Sequence, residues 1–243
     1  MKKTILCMTI LLMLLVVGCS TEHEDTQSPS APVQTTKDTA AEKTATTQPV
    51  SMDNALFIGD SRTVGICEYA GLNEADFFAT VGMSVYNVFD DTVSVPNVGK
   101  ITLKELLSSK SYDKVYIMLG INEIGYKTDQ TMENYAKLVE TVKQTQPDAK
   151  IFVQANLHVT EELSQSDDVI NNEAINCLNT SISKFADGRC VFYLDVNPLF
   201  DDESGCLDAK KTSDKVHIYA KHYIDWGKWI VEETTAKLSE ADN

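Results

Sequence analysis

Short apolar runs alternate with amphipathic stretches from Ser51 to Asn243. The runs are rich in Val, Ile, Leu and Phe, as is typical of strands buried on both faces. The predicted strands are Ala55–Ile58, Phe77–Val81, Lys114–Leu119, Ile151–Gln154 and Val191–Leu194. The predicted helices are Arg62–Tyr69, Ile101–Leu107, Thr131–Gln146, Val169–Phe185 and Ala220–Leu238. This alternation predicts an α/β domain, a three-layer α/β/α flavodoxin-like architecture around a five-stranded parallel sheet.

The N-terminus has a different pattern. Lys2 and Lys3 precede an apolar run, Thr4–Val17, and Gly18 and Cys19 follow it. This order is typical of a bacterial lipoprotein signal, so residues 1–18 are expected to be removed and Cys19 to be lipidated. The lipid would hold the protein at the extracytoplasmic face of a bacterial cell membrane. An ordinary secretory signal or an uncleaved anchor is the alternative, although the run is short for a membrane span of about 20 residues.

The segment after the signal differs again. Residues 20–50 are rich in Thr, Ser, Pro, Ala and Gln and contain no aromatic residue, Leu or Ile. Such a composition cannot bury enough apolar surface to offset the entropy of ordering. Residues 19–50 are therefore predicted to be a flexible stalk, and residues 51–243 to be a folded domain.

Composition narrows the choice of partners. The chain has 243 residues, of which 43% are apolar and 23% charged, and this suits one globular domain with appendages. Its formal net charge of −15 argues against a nucleic acid or an anionic membrane surface as an electrostatic partner. The domain contains four cysteines, and a disulfide between any of them is left open: Cys67, Cys177, Cys190 and Cys206.

Polar residues with chemical potential follow several predicted strands. Ser61 follows the first strand, Gly82 the second and Asn122 the third, while Asp214 and His217 precede the last helix. Because the carboxyl ends of parallel strands meet at one edge of a sheet, these residues are expected to lie together. Acyl transfer needs a hydroxyl nucleophile, a base, an orienting carboxylate and oxyanion donors.

These needs assign a role to each residue. Ser61 is the predicted nucleophile, His217 the base and Asp214 the group that orients the base. The backbone N–H groups of Ser61 and Gly82 and the amide of Asn122 are the predicted oxyanion hole. The alternative for the first segment is that Asp60 or Ser61 serves only as a helix N-cap.

The stretch from Ser51 to about Leu238 resembles the SGNH (GDSL-type) hydrolase family. The family's Ser, Gly, Asn and His are matched in order by Ser61, Gly82, Asn122 and His217. The resemblance implies serine esterase chemistry, and no cofactor or metal is expected. Glu123 stands where the family commonly has Asp, so this longer side chain must find a different partner.

The loops beside the predicted cleft indicate the kind of substrate. The longest loops predicted beside the cleft, Thr160–Asp168 and Pro198–Thr212, are polar and acidic. A shallow polar cleft favours a tethered serine esterase that removes small, acetyl-like O-acyl groups from a cell-envelope glycan or another small ester. The alternatives are a lysophospholipase, a thioesterase or an O-acyltransferase of the same family, and a non-catalytic surface-binding lipoprotein.

Two further residues have open roles. Arg62, beside the predicted nucleophile, is expected to form a local salt bridge, and contact with an anionic substrate group is the alternative. His158 follows the fourth predicted strand and is expected to be a loop histidine, with substrate contact as the alternative.

Overall fold

The structure is a computed structural model and describes residues 48–241. The predicted signal peptide at 1–18, the lipidated Cys19 and the stalk up to residue 47 lie outside the described residues. Those assignments stay predictions.

The described strands are β1 (Ala55–Gly59), β2 (Asp76–Ala79), β3 (Thr92–Val95), β4 (Gly99–Thr102), β5 (Lys114–Met118), β6 (Lys150–Gln154) and β7 (Val191–Leu194). The α-helices are α1 (Ser61–Tyr69), α2 (Leu103–Ser109), α3 (Thr128–Thr145), α4 (Glu161–Ser166), α5 (Asn172–Ser183), α6 (Asn197–Phe200) and α7 (Tyr223–Ala241). Short 3₁₀ turns lie at Ile121–Glu123, Ala209–Lys211 and Ala220–His222. None of the helices within residues 48–241 is long and apolar enough to cross a membrane.

The main sheet has the strand order β2-β1-β5-β6-β7, and every pair in it is parallel. This confirms the predicted fold class and the five-stranded sheet. The hairpin of β3 and β4 was not predicted, and it pairs antiparallel from Thr92↔Thr102 to Val95↔Gly99. Because β4 occupies Ile101 and Thr102, helix α2 begins two residues later than predicted, where Thr102 and Glu105 form a capping box.

The strands send alternate side chains into two apolar cores, one on each face of the sheet. Helices α2, α3 and α5 cover one face, and α1 and α7 cover the other. A row of stacked aromatic rings crosses the second face from strand to strand: Phe77, Phe57, Tyr116, Phe152 and Phe192. These two cores hold the sheet in place, and the polar residues lie at the carboxyl edge of this sheet.

The turn from β1 into α1 determines where Ser61 lies. A Cβ at Gly59 would overlap the Thr63 side chain and the Met118 carbonyl, so only glycine fits this close approach. The buried Asp60 caps α1, because its Oδ1 accepts a hydrogen bond of 2.9 Å from the Arg62 N–H. Ser61 is therefore the first residue of α1, at the carboxyl end of β1.

Candidate active site

Three side chains form a hydrogen-bonded series at the carboxyl edge of the sheet. Ser61 Oγ lies 2.8 Å from His217 Nε2, and His217 Nδ1 lies 2.8 Å from Asp214 Oδ2. Ser61 and His217 are 156 residues apart in sequence, so only the fold brings them together. The structure thus joins the predicted nucleophile, base and carboxylate with the partners that the sequence suggested.

The Asp214 carboxylate is held by its own loop. Its Oδ1 accepts hydrogen bonds from the N–H groups of Val216 at 2.9 Å and His217 at 2.7 Å, and from the Thr212 hydroxyl at 3.2 Å. Burial alone would raise the pKa of Asp214, but the hydrogen bonds from His217 and Val216 hold it below its usual value. The carboxylate therefore stays ionised and accepts from the His217 ring.

The predicted oxyanion donors lie on neighbouring loops. Asn122 is exposed, and its Nδ2 donates one hydrogen bond of 2.9 Å to the Met83 carbonyl. An amide nitrogen carries two N–H groups, so a second donor remains for a ligand. Gly82 is next to Met83 and has a φ of +78°, which favours glycine. Apart from its two chain neighbours, no described residue has a heavy atom within 4 Å of a Cβ built there, so Gly82 is required for its backbone angle rather than for close approach.

A cleft of about 410 Å³ opens beside Ser61, Asn122 and His217. The cleft also has an apolar wall, which was not predicted from the sequence: Ile121, Ile124, Val169, Ile170 and Val216. Asp167 holds part of this wall, because its Oδ1 accepts 2.8 Å hydrogen bonds from the N–H groups of Val169 and Ile170. The sequence pattern placed Val169 and Ile170 in a long helix, whereas α5 begins at Asn172 and leaves them in the loop.

The longer side chain of Glu123 binds a backbone group, the Val85 N–H. Its Oε1 accepts a hydrogen bond of 2.6 Å from the Val85 N–H, while its buried Oε2 has no hydrogen-bond partner within residues 48–241. Burial raises the pKa of Glu123 to about 7, although the hydrogen bond from Val85 opposes this shift. Sequence reasoning marked the substitution but did not identify Val85, because the two residues are distant in the chain.

His158 lies in the loop after β6, as expected, whereas Arg62 does not have the surroundings that were expected. The Arg62 side chain is buried, but no salt bridge to it is found in the described part of the chain. His158 is buried with Nδ1 at 2.8 Å from Asp201 Oδ2 and Nε2 at 2.9 Å from Asn176 Oδ1. These hydrogen bonds tie the end of β6 to α5 and to the residue after α6.

The remaining candidate chemical groups are metal ligands and cysteines. In the part of the chain that the structure describes, no group of three or more His, Cys, Asp or Glu residues could hold a metal ion. The four cysteines of the domain are all free thiols.

A parallel α/β sheet that brings serine, histidine and aspartate into hydrogen-bond series at its carboxyl edge defines a class, the serine-dependent acyl hydrolases. Residues 57–223 match the model of the GDSL-like lipase/acylhydrolase family, so the chain belongs to that family. This confirms the resemblance seen in the sequence and identifies the protein as an enzyme. No curated protein gives a significant sequence match.

Solved structures share the fold at low identity. A GDSL-like lipase from Bacteroides thetaiotaomicron is 20% identical with a TM-score of 0.57, over 79% of this chain and 92% of that chain. A carbohydrate esterase family 3 protein from Talaromyces cellulolyticus is 18% identical with a TM-score of 0.50, over 76% and 98%. An acetyl-xylooligosaccharide esterase from Geobacillus, in a mutant form, is 14% identical with a TM-score of 0.53, over 76% and 96%. The chain is similar to these proteins in fold.

Proposed function

We propose that this protein is a membrane-tethered serine esterase that removes small, acetyl-like O-acyl groups from a cell-envelope glycan. The observation that carries the proposal is the series from Ser61 Oγ through His217 to Asp214, with both distances at 2.8 Å, beside an open cleft. Nucleophile, base and orienting group all lie within hydrogen-bond reach, as acyl-enzyme chemistry requires.

In the first step, Ser61 Oγ attacks the carbonyl carbon of the ester and its proton passes to His217 Nε2. The carbonyl oxygen becomes an oxyanion, which the N–H groups of Ser61 and Gly82 and the Asn122 amide stabilise. The bond from carbon to the leaving oxygen then breaks, and His217 returns its proton to the departing alcohol. The products of this step are a free hydroxyl on the glycan and an acyl ester on Ser61.

In the second step, a water molecule gives a proton to His217 and attacks the acyl-enzyme. The bond between the acyl carbon and Ser61 Oγ breaks, and His217 gives the proton back to Ser61. Throughout, ionised Asp214 keeps the imidazole oriented and stabilises its protonated form. A sugar hydroxyl in place of water would make the same chain of steps an acyl transfer.

The cleft is lined by both apolar and polar residues, and this lining suits a small acyl group. Its apolar wall of Ile121, Ile124, Val169, Ile170 and Val216 favours a lipase-like or thioesterase interpretation more than the polar loops suggested. Each methylene that a substrate buries contributes about 0.8 kcal/mol. Asn122 and Asp167 line the same cleft, so its lining is only partly apolar. Short acyl groups are therefore the proposed substrates, with longer chains as the competing case.

A chain-length series of nitrophenyl esters separates these cases. We expect kcat/KM to be highest between acetate and butyrate and to fall for longer chains, because the polar Asn122 and Asp167 line the cleft beside its apolar residues. Val169→Ser should reduce the preference for butyrate over acetate by about fourfold for each substrate methylene that Val169 covers.

Val98→Ser is the matched control. Val98 is exposed to a similar degree, 44% against 48% for Val169, but lies in the turn between β3 and β4. A kcat/KM that climbs steadily to long acyl chains would reject the small-acyl proposal and support the lipase-like alternative.

The cellular address is a separate proposal. The basic, apolar and Gly18-Cys19 order of the N-terminus supports cleavage before Cys19 and lipidation of that residue. Cys19→Ala should move the protein from the membrane fraction to soluble or unprocessed material. Fractionation with mass spectrometry of the mature N-terminus measures this, and normal processing with unchanged membrane retention of the variant would contradict it.

A further inference from the structure

Two loops at the carboxyl edge of the sheet are joined by a pair of hydrogen bonds. One loop follows β2 and contains Gly82, and the other is the 3₁₀ turn Ile121–Glu123 after β5. Asn122 Nδ2 donates to the Met83 carbonyl at 2.9 Å, and the Val85 N–H donates to Glu123 Oε1 at 2.6 Å. Neighbouring residues of the turn thus bind alternate residues of the Gly82 loop.

The two bonds differ in environment. Asn122 is exposed and its bond is partly buried, whereas the Val85 bond to Glu123 is buried and Glu123 is 3% exposed. A buried hydrogen bond acts in a low dielectric, and removal of its acceptor leaves the Val85 N–H without a partner and without water. The hydrogen bond from Val85 to Glu123 is therefore the stronger of the two hydrogen bonds between the loops.

The Gly82 backbone is held by a turn, in which the Met83 N–H donates to the Thr80 carbonyl at 3.2 Å. Gly82 is exposed, and apart from its chain neighbours Val81 and Met83 no residue within 48–241 has a heavy atom within 4 Å of a Cβ built on it. The buried Met83 and Val85 follow it, and the 3₁₀ turn binds both of them. The loop-to-loop link therefore contributes to the separation between the Gly82 N–H and the Asn122 amide.

We propose that Glu123 is a positioning residue for the oxyanion hole: it clamps the Gly82 loop to the turn that carries Asn122, so that both donors reach one oxygen atom. Glu123 itself touches no substrate atom. The proposal rests on the proposed function of this site, because an oxyanion hole has meaning only if Ser61 attacks an ester. A side chain shorter by one methylene would place its carboxylate farther from the Val85 N–H, which Glu123 Oε1 binds at 2.6 Å.

Replacing Glu123 should affect turnover more than substrate binding. Glu123→Ala is expected to lower kcat for an activated acetate ester by about 10- to 100-fold, below the effect of deleting an oxyanion donor. KM should change by less than about threefold, because the clamp acts on the transition state rather than on the bound ester. Glu123→Asp should behave like Glu123→Ala, and it carries the test if the alanine variant does not fold.

Glu123→Gln should rescue the activity. Its amide oxygen can accept from the Val85 N–H as Oε1 does, and its NH₂ replaces an Oε2 that has no partner in the described part of the chain. We expect kcat within about threefold of wild type, since one hydrogen bond of the same geometry is kept.

Gln146 provides a matched control for reduced stability. It is 5% exposed, its Oε1 accepts from the Tyr112 N–H at 2.8 Å, and it lies before β6 at the opposite edge of the sheet. Gln146→Ala should lower the melting temperature while leaving kcat near the wild-type value. If Glu123 contributed only to stability, Glu123→Ala would likewise lower the melting temperature and leave kcat near the wild-type value.

Two measurements decide the proposal. In a double-mutant cycle, Glu123→Ala and Asn122→Ala should be less than multiplicative in kcat, because both remove the same donor arrangement. Hydrogen exchange at the Val85 amide should speed up in Glu123→Ala and stay slow in Glu123→Gln. If kcat of the alanine and aspartate variants stays at wild type, or the cycle is fully multiplicative, the positioning role is wrong. If the wild-type protein hydrolyses no ester above the Ser61→Ala blank, the proposed function has failed instead.

Discussion

Ser61→Ala and His217→Ala are each expected to lower kcat for an activated ester by roughly 10⁶-fold, the scale set by removal of a nucleophile or its base in serine hydrolases. Ser61 supplies the oxygen that forms the acyl-enzyme, and His217 Nε2, 2.8 Å away, receives its proton. Because the two groups act as one unit, the double variant should be about as slow as either single variant. Initial rates with nitrophenyl acetate measure all three.

Ser166→Ala controls for removal of any hydroxyl near the cleft-side loops. The Ser166 hydroxyl bonds to backbone carbonyls of its own helix, α4, so its removal should leave kcat unchanged. Melting temperatures of the variants show that the fold is intact. Wild-type rates in Ser61→Ala would mean that another group is the nucleophile.

Asp214→Asn should give the second largest decrease, up to about 10⁴-fold in kcat. The asparagine oxygen can keep the hydrogen bonds from Val216 and His217 N–H, but its NH₂ would face His217 Nδ1, where Oδ2 now lies. A donor at that place favours the tautomer with the proton on Nε2, which cannot accept from Ser61. The Asp214 side chain is 52% exposed, so solvent reduces the effect below the value for a fully buried carboxylate.

Asp208→Asn is the matched control for this change. Asp208 also caps a turn, since its carboxylate accepts from the Lys210 N–H at 2.9 Å, but it does not bond to His217. Its substitution should leave kcat unchanged. If Asp214→Asn were equally silent, His217 would be oriented by the backbone alone and the series of three groups would not be a functional unit.

Much of the fold and of the site could be predicted because the deciding signals are local. The buried strands show as continuous apolar runs, and the parallel sheet follows from their alternation with helices. Asp214 and His217 are three residues apart, so one turn brings the carboxylate to the ring. Ser61 lies at the junction of a strand and a helix, which topology places at the ligand-binding edge.

The parts that could not be predicted depend on residues distant in sequence. The partner of Glu123 lies 38 residues away, and no pattern near either residue indicates the bond. The β3–β4 hairpin contains the apolar Ile101, whose spacing with Leu103–Leu107 resembled a helix. The apolar wall of the cleft combines Val169 and Ile170 with Val216 and the 3₁₀ turn, and only the folded chain joins them.

Covalent trapping tests most directly the central claim that Ser61 is the nucleophile activated by His217. The wild-type protein is incubated with a fluorophosphonate, which transfers its phosphonyl group to an activated serine and releases fluoride, and the modified peptide is located by tandem mass spectrometry. We predict one adduct on Ser61, none in Ser61→Ala and very slow labelling in His217→Ala. An unlabelled wild-type protein, or an adduct on a different residue that persists in Ser61→Ala, would contradict that claim.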